Sequence, residues 1–209
     1  MYNKMDVVVL ERFRRGGKNR KTLRDIPYYP SPQQFYKMLM EAKGWPYKTN
    51  MEYYRKRDRA LAALLYLAGL RISEALRLTK KQFEVKRDYI LIKAIKLSKS
   101  RVKGKPRRIQ YRDARLPLKG ERKKLTQIIM EYLKACKEDR LFPFTPQRAW
   151  QIIKSLLPEY TCHWLRAFCE DYLYTKWDRD LLAVADYIKV DPRTLQEYIR
   201  KRHERYPAV

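Results

Sequence analysis

Acidic residues are few: 23 Asp+Glu stand against 49 Lys+Arg in 209 residues, a formal net charge of +26. Cysteine is also scarce. Cys136, Cys162 and Cys169 are an odd number, and no secretion-signal pattern opens the chain, which argues against a secreted disulfide framework and for a reducing, intracellular setting. Around Cys162, His163 and Cys169 there is no Cys-x-x-Cys or His-x-x-x-His spacing, so no metal site is expected. The longest apolar run, residues 60 to 70, falls well short of the ~20 residues of a transmembrane helix, and no membrane partner is expected. Also missing are a Gly-x-x-x-x-Gly-Lys phosphate loop and clustered carboxylates for two-metal work, so no cofactor is expected either.

What is present is positive charge, spread along the whole chain and not gathered in a tail. Such a chain favours a polyanion, because neutralising phosphates releases their condensed counterions. With 45% hydrophobic residues, the length suits one core with a small appendage. The appendage is residues 1–26: a short apolar run, Val7 to Leu10, then a basic stretch around Gly16-Gly17 with almost nothing to bury, read as a mobile or DNA-tracking arm. The folded domain is expected over residues 27–209.

Ser31-Pro32 opens a helix as N-cap and first helical residue. From Arg57, the apolar positions Leu61, Leu64, Leu65 and Ala68 predict a buried helix ended by Gly69, which leaves Arg71 at a corner. A second helix is expected through Glu74, Ala75 and Leu78 to Thr79. Residues 89 to 95 read as a strand and residues 107 to 111 as its partner. The remainder reads as helices: residues 121 to 135; one from Thr145-Pro146 with Trp150, Ile153 and Leu157 on one stripe; 163 to 174; 181 to 188; and one from Asp191-Pro192 carrying Leu195, Tyr198 and Ile199. The fold class is therefore mainly α with a small antiparallel β-sheet.

Three short patterns carry the chemistry. Gly69-Leu70-Arg71-x-Ser73-Glu74-x-Leu76 sets an arginine at the corner; His163-x-Leu165-Arg166 puts two donors on one helix face; Tyr198 follows Arg166 by thirty-two residues. Two guanidinium groups can each give paired hydrogen bonds to phosphate oxygens and so stabilise charge in a pentavalent transition state. Each residue alone is unremarkable in a chain with 17 tyrosines. Their joint spacing resembles the catalytic domain of the tyrosine recombinases, the phage-integrase family, over residues 27 to 201.

The resemblance implies a tyrosine-recombinase fold and a site-specific DNA strand transferase, an integrase that recombines viral or mobile-element DNA. Arg71 and Arg166 would clamp the scissile phosphate, His163 would assist, Glu74 would support Arg71, and Tyr198 would be the nucleophile forming a 3′-phosphotyrosyl bond. Tyr206 and Tyr187 are the competing phenols. The family's general-acid lysine lies in the β-hairpin, where Lys96, Lys99, Lys103 and Lys105 compete; Lys99 fits best and Lys96 second. Nine residues before Tyr198 the family has His or Trp, whereas Lys189 stands here, a cation that can also donate to a phosphate oxygen. Implied partners are double-stranded DNA and further copies assembling on it. Two other readings remain: a type IB topoisomerase, or an idle DNA-binding module of the same fold. The family's usual helical core-binding domain does not fit in 26 residues, so a catalytic fragment or a minimal enzyme is expected.

Overall fold

The computed structural model describes residues 28–97 and 109–205. The basic arm, Lys99, Lys103, Lys105 and Tyr206 lie outside them. Helix α1 (Pro32–Glu41) begins as its sequence requires: Ser31 Oγ accepts from Gln34 N at 3.2 Å while Gln34 Oε1 accepts from Ser31 N at 2.8 Å. Helix α2 (Met51–Ala68) starts earlier than expected but ends at Gly69 as predicted, in the left-handed region at φ 58°. Residues 60 to 68 are buried on every side. A helix with no polar face must lie inside the core, and α2 is accordingly the axis of the fold. It packs against α4 (Lys123–Ala135), α5 (Pro146–Leu156), α6 (Cys162–Lys176) and strand β3 (Tyr111–Pro117).

The segment after the corner departs from expectation. Helix α3 (Ile72–Ala75) has four residues and does not reach Thr79. Backbone groups that would continue it are taken by a distant segment: Arg140 Nε donates to Leu76 O at 2.9 Å, Leu141 N to Leu78 O at 3.2 Å and Lys80 N to Asp139 O at 2.8 Å. Long-range pairing wins over helical propagation here. A short 3₁₀ turn and a strand that the pattern did not suggest, β1 (Phe83–Val85), follow.

The sheet is antiparallel in the order β1, β2, β3, with β2 spanning Tyr89–Lys96. Its third strand is Tyr111–Pro117, not residues 107 to 111; of the latter only Tyr111 is in the strand, facing Lys96, and residues 107 and 108 lie outside the described part. A bulge between Ile92 and Ile95, with Ala94 at φ 51°, lets both isoleucines face inward and leaves Lys96 exposed. Ile153 and Leu157 are buried as expected, but Trp150 is 49% exposed, and Ala149, Ile152 and Leu156 complete the buried stripe of α5. A second, smaller apolar cluster joins α6 to α7 (Leu181–Ile188) and α8 (Pro192–Arg205) through Cys169, Leu173, Ile188, Leu195 and Ile199. That cluster is what holds the C-terminal helix in place. No helix among the described residues is long and apolar enough to cross a membrane.

Candidate active site

The corner between α2 and α3 is built from both sides. A Cβ on Gly69 would stand 3.2 Å from Cys169 Sγ, so α6 packs directly on the turn. The last carbonyls of α2, which have no partner inside the helix, are met by two buried arginines from elsewhere. Arg112 Nη2 donates to Ala68 O at 2.6 Å and Gly69 O at 3.3 Å; Arg122 Nη2 donates to Leu67 O at 2.6 Å and Tyr66 O at 3.2 Å. Arg71 then caps α3. Its backbone N–H donates to Glu74 Oε2 at 2.9 Å and its Nη1 to Glu74 Oε1 at 3.0 Å.

Glu74 is 1% exposed and faces a second arginine. Arg166, itself 4% exposed, places Nη1 3.8 Å from Glu74 Oε2, while its Nε donates to Glu170 Oε1 at 2.8 Å. Two carboxylates thus fix one guanidinium along its back edge. The hydrogen-bonding capacity of Nη1 and Nη2 is unused among the described residues. One turn before Arg166, His163 stands at the start of α6 with its ring crowded by the surrounding chain, and its pKa is lowered first by that desolvation and then by the charges of Arg166 and Arg71. Burial likewise raises the pKa of Glu170, against the opposing pull of Arg166. The cluster can therefore receive a tetrahedral oxyanion on two pre-oriented guanidiniums beside an imidazole held towards its neutral form.

Residues 47–205 match the Phage integrase family. The chain belongs to that family. Its fold resembles the XerH site-specific recombinase bound to palindromic difH substrate in a post-cleavage complex, at TM-score 0.62 and 20% identity, covering 92% of this chain and 55% of that one. XerA recombinase aligns at TM-score 0.57 and 16% identity, over 93% of this chain and 68% of the other. The Tn1549 transposon integrase in complex with circular intermediate DNA aligns at TM-score 0.55 and 18% identity, over 86% and 62%. The chain spans about half the length of XerH. No curated protein matches it.

Within this integrase fold, the sequence motifs are partly assembled. Arg71, Glu74 and Arg166 meet directly, and His163 lies within electrostatic reach of both arginines. Tyr198 sits on α8, between Leu195 and Ile199, whose burial in the second cluster orients the helix. Lys189 ends α7 in the left-handed region at φ 58° and pairs through Nζ with Asp186 at 2.6 Å. Tyr187, one of the competing phenols, accepts a hydrogen bond from Arg115 N at 2.9 Å and has its pKa raised by burial. Sequence reasoning missed Glu170, Arg112 and Arg122. Glu170 had a local signal, the i, i+4 spacing from Arg166. The other two had none, since their carbonyl partners lie 43 to 56 residues away.

Proposed function

We propose that the chain is the catalytic domain of a site-specific DNA recombinase, cutting and rejoining strands of duplex DNA through a 3′-phosphotyrosyl intermediate. The observation that carries this reading is the Glu74 carboxylate shared between Arg71 and Arg166. Such sharing brings two cations to one carboxylate, from which both are proposed to reach one phosphodiester. In the proposed reaction, the Tyr198 phenol gives its proton to water as its oxygen attacks phosphorus, the P–O bond to the 5′-oxygen breaks, and Lys99 gives that oxygen its proton. Arg71, Arg166 and His163 donate to the non-bridging oxygens and hold the phosphate as charge builds. Attack of a 5′-hydroxyl on the phosphotyrosine reverses the step. The bond energy is kept in the protein–DNA linkage, so nucleotide hydrolysis is not required.

Lys189 is assigned to the phosphate as a replacement for the family's His or Trp, which requires its Nζ to leave Asp186. The net charge of +26 supports duplex DNA as partner, with residues 1–26 as a tracking arm, residues 27–209 as the catalytic unit and self-assembly taking place on the DNA. The setting is intracellular, where such DNA resides. The test is a nicked suicide duplex, which traps the covalent complex when the cleaved strand is lost. Wild-type protein should give a denaturant-resistant adduct and Tyr198→Phe none, with non-covalent binding nearly unchanged. An adduct that survives Tyr198→Phe and maps to Tyr206 would overturn the assignment.

A further inference from the structure

A cleft of ≈ 830 Å³ opens between the β2/β3 end of the sheet and the C-terminal ends of α6 and α7, within the roughly 300–1,000 Å³ that small ligands occupy. Its lining is cationic and aromatic. Arg115 lies over the Tyr89 ring at 5.1 Å, Arg122 over Tyr172 at 4.3 Å and Arg112 over Tyr187 at 5.7 Å. Of the three carboxylates of the cleft, Asp88 pairs with Lys119 at 2.6 Å and Asp113 accepts from Ala94 N at 2.9 Å, while Asp186 pairs at 2.6 Å with Lys189, which also lines the cleft and frees Asp186 only when it turns to the scissile phosphate. None of the three arginines forms an ion pair with a carboxylate among the described residues.

Two of these arginines are deeply placed. Arg112 and Arg122 are each 5% exposed, and their Nη2 atoms are committed to the carbonyls of α2. Arg112 Nε and Nη1 and Arg122 Nε find no acceptor among the described residues. Burying a guanidinium without a counter-charge is costly, and an anion in the cleft would offset that cost. At its rim Trp177, 37% exposed, packs edge-on against Tyr187 with ring centroids 5.3 Å apart. Arginine beside exposed ring faces and edges suits a planar base joined to a phosphate.

The geometry points to a binding site for a nucleoside monophosphate unit, its phosphate taken by Arg115 with the two buried arginines and its base laid against Trp177 and the tyrosine rings. The same unit occurs as a free nucleotide and as an unpaired nucleotide at a DNA strand end. Neither source requires the cleavage chemistry proposed above, so Tyr198→Phe should bind as the wild type does, and loss of the adduct says nothing against this site.

The test uses the full chain and 2′-deoxyadenosine 5′-monophosphate, followed by calorimetry, with inorganic phosphate as competitor. Arg115→Gln is the informative variant: Arg115 is exposed and its link to Tyr187 runs through the backbone, so folding should survive. Saturable binding weakened at least about tenfold by Arg115→Gln, and several-fold by Trp177→Leu, supports the site for a free nucleotide. A second arm compares blunt duplex with duplex bearing a short unpaired 5′ end. A preference for the unpaired end that Arg115→Gln removes assigns the site to a strand end instead. Equal competition by inorganic phosphate overturns recognition of the base, and Arg115-independent behaviour in both arms overturns the site.

Discussion

Arg71 and Arg166 are joined through opposite oxygens of one buried carboxylate: Arg71 Nη1 stands 3.0 Å from Glu74 Oε1 and Arg166 Nη1 3.8 Å from Glu74 Oε2. Glu74 therefore sets the separation of the two guanidiniums, and Glu170 sets the rotation of the second. A buried carboxylate between two cations is hard to remove. Glu74→Ala should lower stability by about 3–5 kcal/mol in urea unfolding, because it leaves Arg166 buried with half its counter-charge. Glu170→Gln keeps the shape and loses only charge. It should form the suicide-substrate adduct more slowly while binding duplex as well as the wild type, whereas equal loss of binding and rate would mean that Arg166 is merely unfolded from its place.

The proton to the leaving oxygen is the step assigned to Lys99. With an ordinary 5′-oxygen, Lys99→Ala should cut the cleavage rate steeply; with a bridging 5′-sulfur, whose thiolate leaves without an acid, the variant should cleave close to the wild-type rate. Lys96, exposed at the end of β2 opposite Tyr111, should show no such difference between the two substrates. The two rate ratios, measured side by side, assign the acid. Equal loss on both substrates for Lys99→Ala would remove it from that role.

His163 has a folded-state pKa below the usual imidazole value of about 6.5. For a depressed pKa the folded state binds fewer protons than the unfolded one. Its stability contribution is present above the unfolded value and is lost as pH falls through the folded one. Wild-type protein should thus lose stability on acidification from neutral pH to the mildly acid range, and His163→Gln should lose less. Urea midpoints at the two pH values would decide it, and parallel losses in both proteins would contradict the direction.

The corner itself can be tested without DNA. Gly69 is at φ 58°, and a methyl group there would meet Cys169 Sγ at 3.2 Å. Gly69→Ala should therefore destabilise by at least ~1–2 kcal/mol. Arg112→Leu removes the donor to Ala68 O and Gly69 O and should cost roughly 1–3 kcal/mol for each carbonyl left buried and unpaired. Thermal or urea unfolding measures both. A neutral effect of Arg112→Leu would mean that water replaces the guanidinium at the helix end.

By itself the sequence determined what local physics can determine. Apolar spacing placed the buried second half of α2, Gly69 its end, and Ser31-Pro32 and Thr145-Pro146 their helix starts, because each depends on residues within one or two turns. The same holds for Arg71 beside Glu74 and for His163 and Arg166 on one turn. Only the tertiary structure decided that Glu74 reaches Arg166, that Arg112 and Arg122 close the end of α2, and that the backbone after α3 pairs with residues 139–141 in place of a longer helix. Those outcomes depend on which distant groups the packed chain brings to a backbone carbonyl or a buried carboxylate. Local pattern places the third strand at residues 107 to 111, but it lies at Tyr111–Pro117, since the bulge at Ala94 shifts the pairing by a contact with Asp113 that no periodicity encodes.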